Sequence, residues 1–448
     1  MNSFDEELTR RLAALHAQGL HRELRRVDSP PGTRIRIDDR ALLNFSSNDY
    51  LGLANDPILK EAATQAVEKF GAGSGASRLI CGSLAPHHDL EEALAYFKGA
   101  EAALSFSTGY ATAIGTICAL LGKDDVIVLD KLVHACIVDA ARLSGAKIRV
   151  FAHNDLDDLE KILKWTEKNI QHPTPINREQ ESNIQHRKRT LIVTESVFSM
   201  DGDAAPLREI VALKEKHGAW LMVDEAHATG LYGKNRRGLA EESGVSERIE
   251  IQMGTLGKAV GASGGYICGS RLLIDFLVNR ARSFIFSTAP VPAAAAAAAA
   301  GVRFIQSSEG ERRRRMLWKR VEQCRTGILP VSDLSNDPAD AARSQSRSKI
   351  GDRLEACPTL SAIIPILIGD ETKAVAVSAA LREQGIFVPA IRYPTVARGK
   401  ARLRLTVTAT HTAEDISLLV AALRSIRNSE KSRARAESRC PQSGIANE

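Results

Sequence analysis

The chain contains 448 residues, of which 44% are hydrophobic and 25% are charged, and its formal net charge is +6. This length and composition predict a globular protein with one large domain and a smaller one. No apolar run of 18 or more uncharged residues occurs, so we expect no membrane span and a cytoplasmic location. The seven cysteines form no C-x-x-C pair, which argues against a disulfide framework and a structural zinc site.

Residues 1–48 are predicted to form a helical N-terminal segment, and residues 49–288 the large domain. In the large domain, apolar strand candidates alternate with amphipathic helices such as residues 88–99 and 206–218. The strand candidates are residues 125–130, 147–153, 190–195, 220–227, 249–254 and 264–269. This alternation predicts an α/β fold on a mostly parallel sheet, which binds ligands at the carboxyl ends of its strands.

A smaller C-terminal domain is predicted for residues 289–428. It begins with an alanine-rich stretch at residues 291–306, which favours a helix because alanine is the strongest helix former. Residues 360–369 and 401–412 are its strand candidates.

Polar stretches without periodicity interrupt or end this pattern. Residues 166–188 and 326–357 are predicted to be surface insertions, and residues 429–448 a disordered basic tail. Basic runs such as residues 186–189 and 312–315 most often form solvated surface. We therefore expect no nucleic-acid partner, although a mildly positive surface suits an anionic small substrate.

The strand candidate WLMVDEAH, residues 220–227, ends in an Asp-Glu-Ala-His box that also occurs in helicases. A motor of that class needs a phosphate-binding loop, G-x-x-x-x-G-K-[ST], earlier in the chain. The nearest match, residues 252–259, follows the box and has Gln252 and Ala259 where the loop needs a glycine and a hydroxyl. A nucleic-acid-dependent ATPase is therefore the disfavoured alternative.

Lys258 lies in a glycine-rich stretch, GTLGKAVGASGG, at residues 254–265. Small uncharged neighbours allow a partly desolvated pocket, which lowers the pKa of the amine and lets it form a Schiff base. Pyridoxal 5'-phosphate (PLP) needs such a lysine and an acid that keeps its pyridine nitrogen protonated. Asp224, at the end of an apolar strand, is such an acid. Taken singly, the two residues also fit a surface lysine and a strand-end cap, but the combination favours a PLP site.

A phosphate site is predicted where Ser107, Thr108 and Gly109 precede a helix of small residues. Backbone N–H groups at a helix N-terminus, together with hydroxyls, bind phosphate. His134 follows another strand end. A lone histidine there is more often structural, but beside a PLP site it is a candidate to stack on the cofactor ring.

Seven motifs occur in one order along the chain. They are LNFSSNDYLGL (43–53), GAGSGASRLICGS (71–83), STGYATAIG (107–115), TESVFSMDGDAAPL (194–207), VDEAHATGLYG (223–233), GTLGKAVGASGGY (254–266) and IRYPTVARGKARLRLT (391–406). Together they resemble the α-oxoamine synthase family, PLP-dependent enzymes of fold type I. The resemblance implies a large domain with a mostly parallel seven-stranded sheet, a smaller α+β C-terminal domain and a homodimer.

The resemblance also assigns roles to individual residues. Lys258 would carry PLP and take the substrate Cα proton, Asp224 would pair with the pyridine nitrogen, and His134 would stack on the ring. These three and His227 are the expected catalytic residues. The other implied cofactor contacts come from Gly109, Tyr110, Ser199 and Thr255, with Ser287 or Thr288 reaching the phosphate from a partner subunit.

Substrate contacts follow from the same resemblance. Arg404 would anchor the amino-acid carboxylate, since a guanidinium binds carboxylates in a bidentate manner. The implied acyl-substrate side is formed by Arg22, Asn48 and Thr395, and His134 would help to guide the substrate.

Within the family, the motifs are most similar to the branch that acts in biotin biosynthesis. The implied reaction is a decarboxylative condensation of L-alanine with pimeloyl-CoA or a pimeloyl carrier protein. Two alternatives stay open among proteins of this fold. One is a relative that uses glycine and acetyl-CoA or another acyl thioester, and the other is a PLP-fold protein without turnover.

Overall fold

The computed structural model of the chain describes residues 2–170, 188–328 and 361–437. The chain divides into two compact units. The larger unit is Asn48–Arg315, and the smaller unit combines Met1–Ser47 with Met316–Glu448. Among the described residues, no helix is both long and apolar enough to cross a membrane.

The described ranges contain the following strands and helices. The strands are β1 (Arg34–Ile37), β2 (Arg40–Asn44), β3 (Ala102–Phe106), β4 (Val126–Asp130), β5 (Lys147–Phe151), β6 (Thr190–Glu195), β7 (Trp220–Asp224), β8 (Ile251–Thr255), β9 (Gly265–Gly269), β10 (Ile363–Gly369), β11 (Ile386–Phe387), β12 (Ala390–Ile391) and β13 (Ala401–Thr406). The helices are α1 (Ser3–Ala17), α2 (Pro57–Phe70), α3 (Ala85–Lys98), α4 (Gly109–Leu120), α5 (Ala135–Ser144), α6 (Leu156–Ile170), α7 (Leu207–Lys216), α8 (Leu239–Glu242), α9 (Arg271–Arg280), α10 (Arg282–Ile285), α11 (Pro292–Gln306), α12 (Ser308–Ile328), α13 (Glu371–Glu383) and α14 (Ala413–Glu437), with a 3-10 turn at Ser246–Arg248.

The larger unit is built on a seven-stranded sheet with the order β3-β9-β8-β7-β6-β4-β5. Strand β9 runs antiparallel to both of its neighbours, and the other six strands are parallel. This confirms the predicted α/β fold with a mostly parallel sheet. The carboxyl ends of the six parallel strands therefore lie along one edge.

The central strands are apolar because helices cover both faces of the sheet. Strands β4, β6 and β7 read VIVLD, TLIVTE and WLMVD, and nearly all of their residues are buried. One face packs against α4 and α5, whose small and branched residues, such as Ala113, Ile117 and Ala140, are fully buried. The packing of this apolar surface holds the strands in place, and their carboxyl ends therefore stay together at one edge of the sheet.

The smaller unit contains two three-stranded sheets. Strand β2 lies between β1 and β11, and β13 lies between β10 and β12. Strand β13, ARLRLT, is buried at all six positions although two of them are arginines. The smaller unit is therefore α+β, with a buried arginine pair, Arg402 and Arg404, on its central strand.

Several element boundaries differ from the sequence predictions. The N-terminal segment, predicted to be helical, also contains β1 and β2. Helix α11 groups with the larger unit, because its alanine face packs on α2 and α3, so the division falls after Arg315 instead of at residue 289. Strands β7 and β13 end at Asp224 and Thr406, earlier than predicted.

The predicted irregular stretches are also shorter than expected. Helix α6 continues to Ile170, helix α12 to Ile328 and helix α14 to Glu437. The start of each predicted insertion and the first part of the predicted disordered tail are therefore helical. The rest of these stretches lies outside the described residues, namely 171–187 of the first insertion, 329–357 of the second and 438–448 of the tail.

Candidate active site

Three adjacent strands of the larger sheet each end in a buried acid. Asp130 ends β4, Glu195 ends β6 and Asp224 ends β7, and their exposed fractions are 1%, 2% and 6%. Glu195 and Asp224 are paired directly across β6 and β7. Because a buried carboxylate is costly without a partner, each of the three needs a separate explanation.

Asp224 is held at the end of β7 by the turn that follows it. The backbone N–H of Ala226 donates to Asp224 Oδ1 at 2.9 Å. Burial raises the pKa of Asp224, and the charge of Lys258 and the hydrogen bond from the N–H of Ala226 oppose that increase. A carboxylate in this position is stabilised by a cation, and a protonated pyridine nitrogen is one.

Lys258 lies in the loop between β8 and β9, and it is half-buried. Its Nζ lies 3.3 Å from Thr255 Oγ1, where the hydroxyl oxygen accepts the hydrogen bond. The loop is closed by backbone bonds from Leu256 N to Gly264 O and from Gly261 N to Lys258 O, both at 2.9 Å. Gly261 has a φ of +74°, and a Cβ there would lie 2.5 Å from that of Leu53. The glycine-rich sequence is therefore required by a tight turn and a close approach.

The predicted phosphate site is the N-terminus of α4. Thr108 caps the helix by accepting a hydrogen bond from the N–H of Ala111 at 3.0 Å. A Cβ on Gly109 would lie 2.6 Å from Thr255 Cγ2. The absence of a side chain at Gly109 thus lets the N-terminus of α4 approach the side chain of Thr255 closely, and a helix N-terminus suits a phosphate.

We expect Gly109→Ala to weaken PLP binding by at least about fivefold, because the added methyl must displace Thr255. Overpacking of this kind costs about 1–3 kcal/mol. Absorbance titration of the apoprotein with PLP measures the effect. Gly122→Ala is the matched control, since a Cβ at Gly122 meets nothing within 4 Å. Equal PLP affinity for the two variants would contradict this phosphate site.

His134 caps α5 at the carboxyl edge of β4. Its Nδ1 accepts from the backbone N–H of Cys136 at 3.2 Å and lies 3.1 Å from Cys136 Sγ. Because Nδ1 is an acceptor, the neutral ring carries its proton on Nε2. Burial lowers the pKa of His134, although the charge of Asp224 opposes this. The ring is therefore neutral at pH 7, as expected of a group that stacks on a cofactor.

His227 has a partner that the sequence analysis did not assign. The hydroxyl of Tyr50 lies 2.6 Å from His227 Nδ1, and both side chains are buried. Tyr50 also lies 3.4 Å from Asn48 Oδ1. Tyr50 lies inside the motif LNFSSNDYLGL, so the motif marked the segment, but the sequence did not reveal this contact.

Glu195 is the second residue that the sequence analysis missed. Burial and then the charge of Asp224 raise its pKa to about 8, while Lys258 and the backbone N–H groups of His134 and Ser199 oppose the increase. Its Oε1 has no hydrogen-bond partner among the described residues. The available signal was an acid that ends an apolar strand, the same pattern that marked Asp224.

The other predicted cofactor residues of the larger unit differ in how far they are exposed to solvent. Ser199 is 9% exposed and follows β6. Tyr110 is exposed, and its hydroxyl donates to Asp139 Oδ2 at 2.8 Å. Thr288 is exposed, and its backbone bridges to Ser77. A phosphate contact from Thr288 or Ser287 in a partner subunit stays a prediction.

The predicted substrate residues of the smaller unit form two groups. Arg22 Nη2 lies 3.5 Å from Thr395 Oγ1, so these two are brought together. Arg404 is 8% exposed on β13, and its Nη1 donates to Thr406 Oγ1 at 3.1 Å. A buried guanidinium of this kind suits recognition of a carboxylate.

The larger-unit residues fit PLP by three observations. Asp224 is a buried carboxylate that a pyridinium would stabilise, and Lys258 is close enough for its charge to lower the pKa of Asp224. The side-chain-free Gly109 leaves the end of α4 open beside Thr255. The buried Glu195 Oε1 provides a polar atom without a partner among the described residues.

The fold and this site define a class of PLP-dependent transferase. The profile of the aminotransferase class I and II family matches residues 40–423 of the chain. PLP is accordingly the cofactor.

Relatives refine this assignment. An 8-amino-7-oxononanoate synthase from Herminiimonas arsenicoxydans is 42% identical over 421 residues, which cover 93% of this chain and 98% of the relative. The serine palmitoyltransferase of S. paucimobilis, solved with a bound PLP-myriocin aldimine, has a TM-score of 0.78 and 27% identity, covering 95% of this chain and 98% of its own. The 8-amino-7-oxononanoate synthase of Francisella tularensis has a TM-score of 0.66 and 26% identity, covering 88% and 99%.

The chain belongs to the family of the 8-amino-7-oxononanoate synthases. It is a PLP-dependent acyltransferase that joins an amino acid to an acyl thioester. The predicted resemblance to the α-oxoamine synthases is confirmed, and the assignment of the Asp-Glu-Ala-His box to the PLP site stays a prediction.

Proposed function

We propose that the chain condenses L-alanine with a pimeloyl thioester to give 8-amino-7-oxononanoate, coenzyme A or a carrier-protein thiol, and CO₂. The new bond joins the alanine Cα to the acyl carbon. The thioester C–S bond breaks and releases the thiol, and the bond from Cα to the alanine carboxylate breaks and releases CO₂. The observation that carries the proposal is the cluster of Lys258, Asp224 and His134 at one sheet edge, in a chain 42% identical to a named synthase over most of its length.

PLP, when bound, supplies an electron sink for negative charge at the substrate Cα. Asp224 would hold the ring nitrogen protonated, and the surrounding burial would strengthen this ion pair. Thr255 and the N–H groups that begin α4 would hold the phosphate. Neutral His134 would pack against the cofactor ring without competing with the pyridinium for the charge of Asp224.

Lys258 moves the proton in this proposal. Its amine takes a proton from the substrate Cα and returns one after CO₂ leaves. The neighbouring Thr255 hydroxyl, 3.3 Å from Nζ, orients the amine.

The binding of the negatively charged substrate groups is assigned to residues of the smaller unit. Arg404, buried on β13, would bind the alanine carboxylate. Arg22 and Thr395, which lie together, would bind the acyl substrate. Exposed arginines also suit the negative charge of coenzyme A or of an acidic carrier protein.

We expect PLP-loaded protein to release thiol from pimeloyl-CoA in the presence of L-alanine, with at most about one-tenth of that rate with glycine. The measurement follows free thiol with each amino acid in parallel, and mass spectrometry identifies the product. A pimeloyl carrier protein replaces pimeloyl-CoA in a second series. Release that requires glycine and a shorter acyl-CoA would keep the family and contradict the proposed substrates.

A further inference from the structure

His153 lies between two carboxylates just after β5. Its Nδ1 is 2.9 Å from Asp130 Oδ1, and its Nε2 is 2.7 Å from Asp203 Oδ2. Burial lowers the pKa of His153, but the hydrogen bonds and charges of Asp130 and Asp203 outweigh burial and raise the pKa to about 10. Both ring nitrogens therefore donate to carboxylates at neutral pH, and such charge-assisted bonds are stronger than neutral ones.

The first carboxylate belongs to the loop that carries His134. Asp130 ends β4, and its Oδ1 also accepts from the backbone N–H of Leu132 at 2.8 Å. Its Oδ2 accepts from the N–H of Asn154 at 3.0 Å. His153 and Asn154 thus hold the start of the segment that leads from β4 to the cap of α5.

The second carboxylate belongs to the loop that carries Ser199. Asp203 O accepts from the N–H of Phe198 at 2.9 Å, and Phe198 O accepts from the N–H of Gly202 at 2.8 Å. The Asn154 amide donates to Asp203 Oδ2 at 3.3 Å and to Ala204 O at 3.2 Å. Ser199 therefore lies within a turn whose far end is hydrogen-bonded to Asn154, shortly after β5.

The aromatic packing supports the same arrangement. The ring of Phe198 meets His153 edge-on, with ring centroids 4.4 Å apart, and Phe198 is 1% exposed. Phe198 directly precedes Ser199 in the chain. A shift of the His153 ring would therefore move the backbone next to Ser199.

We propose that His153 is a positioning residue, which sets the distance between the loop of His134 and the loop of Ser199 by bridging Asp130 and Asp203. The inference rests on the proposed roles of His134 and Ser199 at the cofactor. His153 itself touches neither the cofactor nor the substrate in this scheme. Its effect on the reaction passes through the two loops.

We expect His153→Gln to lower kcat roughly 10- to 100-fold, since small displacements of positioned groups have effects of that size. The dissociation constant for PLP rises and the pH titration of the bound cofactor's absorbance shifts, because His134 and Ser199 no longer keep their spacing. A role in stability alone would lower Tm and leave both cofactor measurements unchanged well below Tm. That result would overturn the proposal.

Two further variants make the test decisive. Asp203→Asn keeps an acceptor oxygen but removes the charge, and the Asp203 side chain is 38% exposed, so the fold should tolerate it. It is expected to shift the cofactor measurements in the same direction by a smaller factor, and wild-type values in this variant would also overturn the proposal. His217→Gln is the matched control, because His217 pairs with Glu167 at 2.9 Å near the opposite end of the sheet.

The cofactor measurements separate this proposal from the proposed function. PLP affinity and absorbance require neither L-alanine nor a pimeloyl thioester. Wild-type protein that binds PLP but releases no thiol would contradict the proposed substrates, while the His153 and Asp203 variants would still test the bridge.

Discussion

Replacement of Lys258 by alanine is expected to lower turnover by at least about a thousandfold, since the variant loses both the covalent anchor of PLP and a proton-transfer group that contributes 10²–10⁴-fold. Asp224 is also affected. The charge of Lys258 is the largest influence that lowers the pKa of Asp224. The variant therefore keeps Asp224 buried without the lysine charge that opposes its raised pKa.

The measurement compares thiol release and covalent cofactor attachment in Lys258→Ala and wild type. Mass spectrometry after borohydride reduction should find PLP on the wild-type chain and none at residue 258 of the variant. Lys234→Ala is the control, because Lys234 is an exposed lysine in another loop of the same unit. Turnover near the wild-type rate in Lys258→Ala would remove this lysine from its assigned role.

Asp224→Asn is expected to lower kcat by roughly 100-fold, which corresponds to about 2.7 kcal/mol of transition-state stabilisation. The amide keeps an oxygen for the N–H of Ala226, so the turn after β7 should persist. What is lost is the negative charge that keeps the pyridine nitrogen protonated. Without that proton, charge at the substrate Cα is less well stabilised.

Steady-state kinetics and PLP titration of the Asp224→Asn variant check this expectation. The exposed Asp124→Asn variant is the control for removing a carboxylate elsewhere in the same unit. Similar kcat values for Asp224→Asn and Asp124→Asn would show that Asp224 does not act on the ring nitrogen.

The sheet was predictable where strands are uniformly apolar and end in a polar residue. Strands β4, β6 and β7 fit that description, and the prediction was confirmed. Strand β3, AALSF, was not predicted from its residues because it is short and contains small residues that are equally common in helices. The strand order could not be predicted from the sequence, because it does not follow the chain: β6 lies between β4 and β7, while β5 lies at the edge of the sheet.

Domain division depends on packing that a linear pattern does not reveal. The alanine-rich helix α11 was predicted to open the smaller domain because the composition changes there. The helix, in which Ala295 and Ala298 are buried, instead packs on α2 and α3, which precede it by more than 190 residues. The unit to which a helix belongs is determined by the elements that its apolar face packs against, and not by where the composition of the chain changes.

Candidate site residues were predictable where the chemistry requires a particular residue type. A lysine among glycines and an acid after an apolar strand led to the predictions for Lys258 and Asp224, although Glu195 shows the same strand-end pattern as Asp224. The contact between Tyr50 and His227 joins residues 177 positions apart, and no local pattern encodes it. Glu195 was missed for a related reason, because its importance arises from its register opposite Asp224.

The basic run at residues 312–315 illustrates a further difference. It was predicted to be solvated surface, and Arg312 and Arg315 are indeed mostly exposed. Arg313, however, binds Asp56 at 2.6 Å and the carbonyl oxygens of Leu51 and Gly52. One arginine of the run therefore fastens α12 to the segment that precedes α2.

In the larger sheet, the antiparallel direction of β9 has a consequence for the entropy of cofactor attachment. A return between parallel strands requires a long crossover, whereas β8 and β9 are joined by residues 256–264 alone. Lys258 is therefore held in a short loop whose two ends are already hydrogen-bonded. Such a loop has few conformations to lose when its lysine becomes covalently tethered. The reversal of one strand thus pre-organises Lys258 for the covalent bond that the proposed mechanism forms and breaks in every turnover.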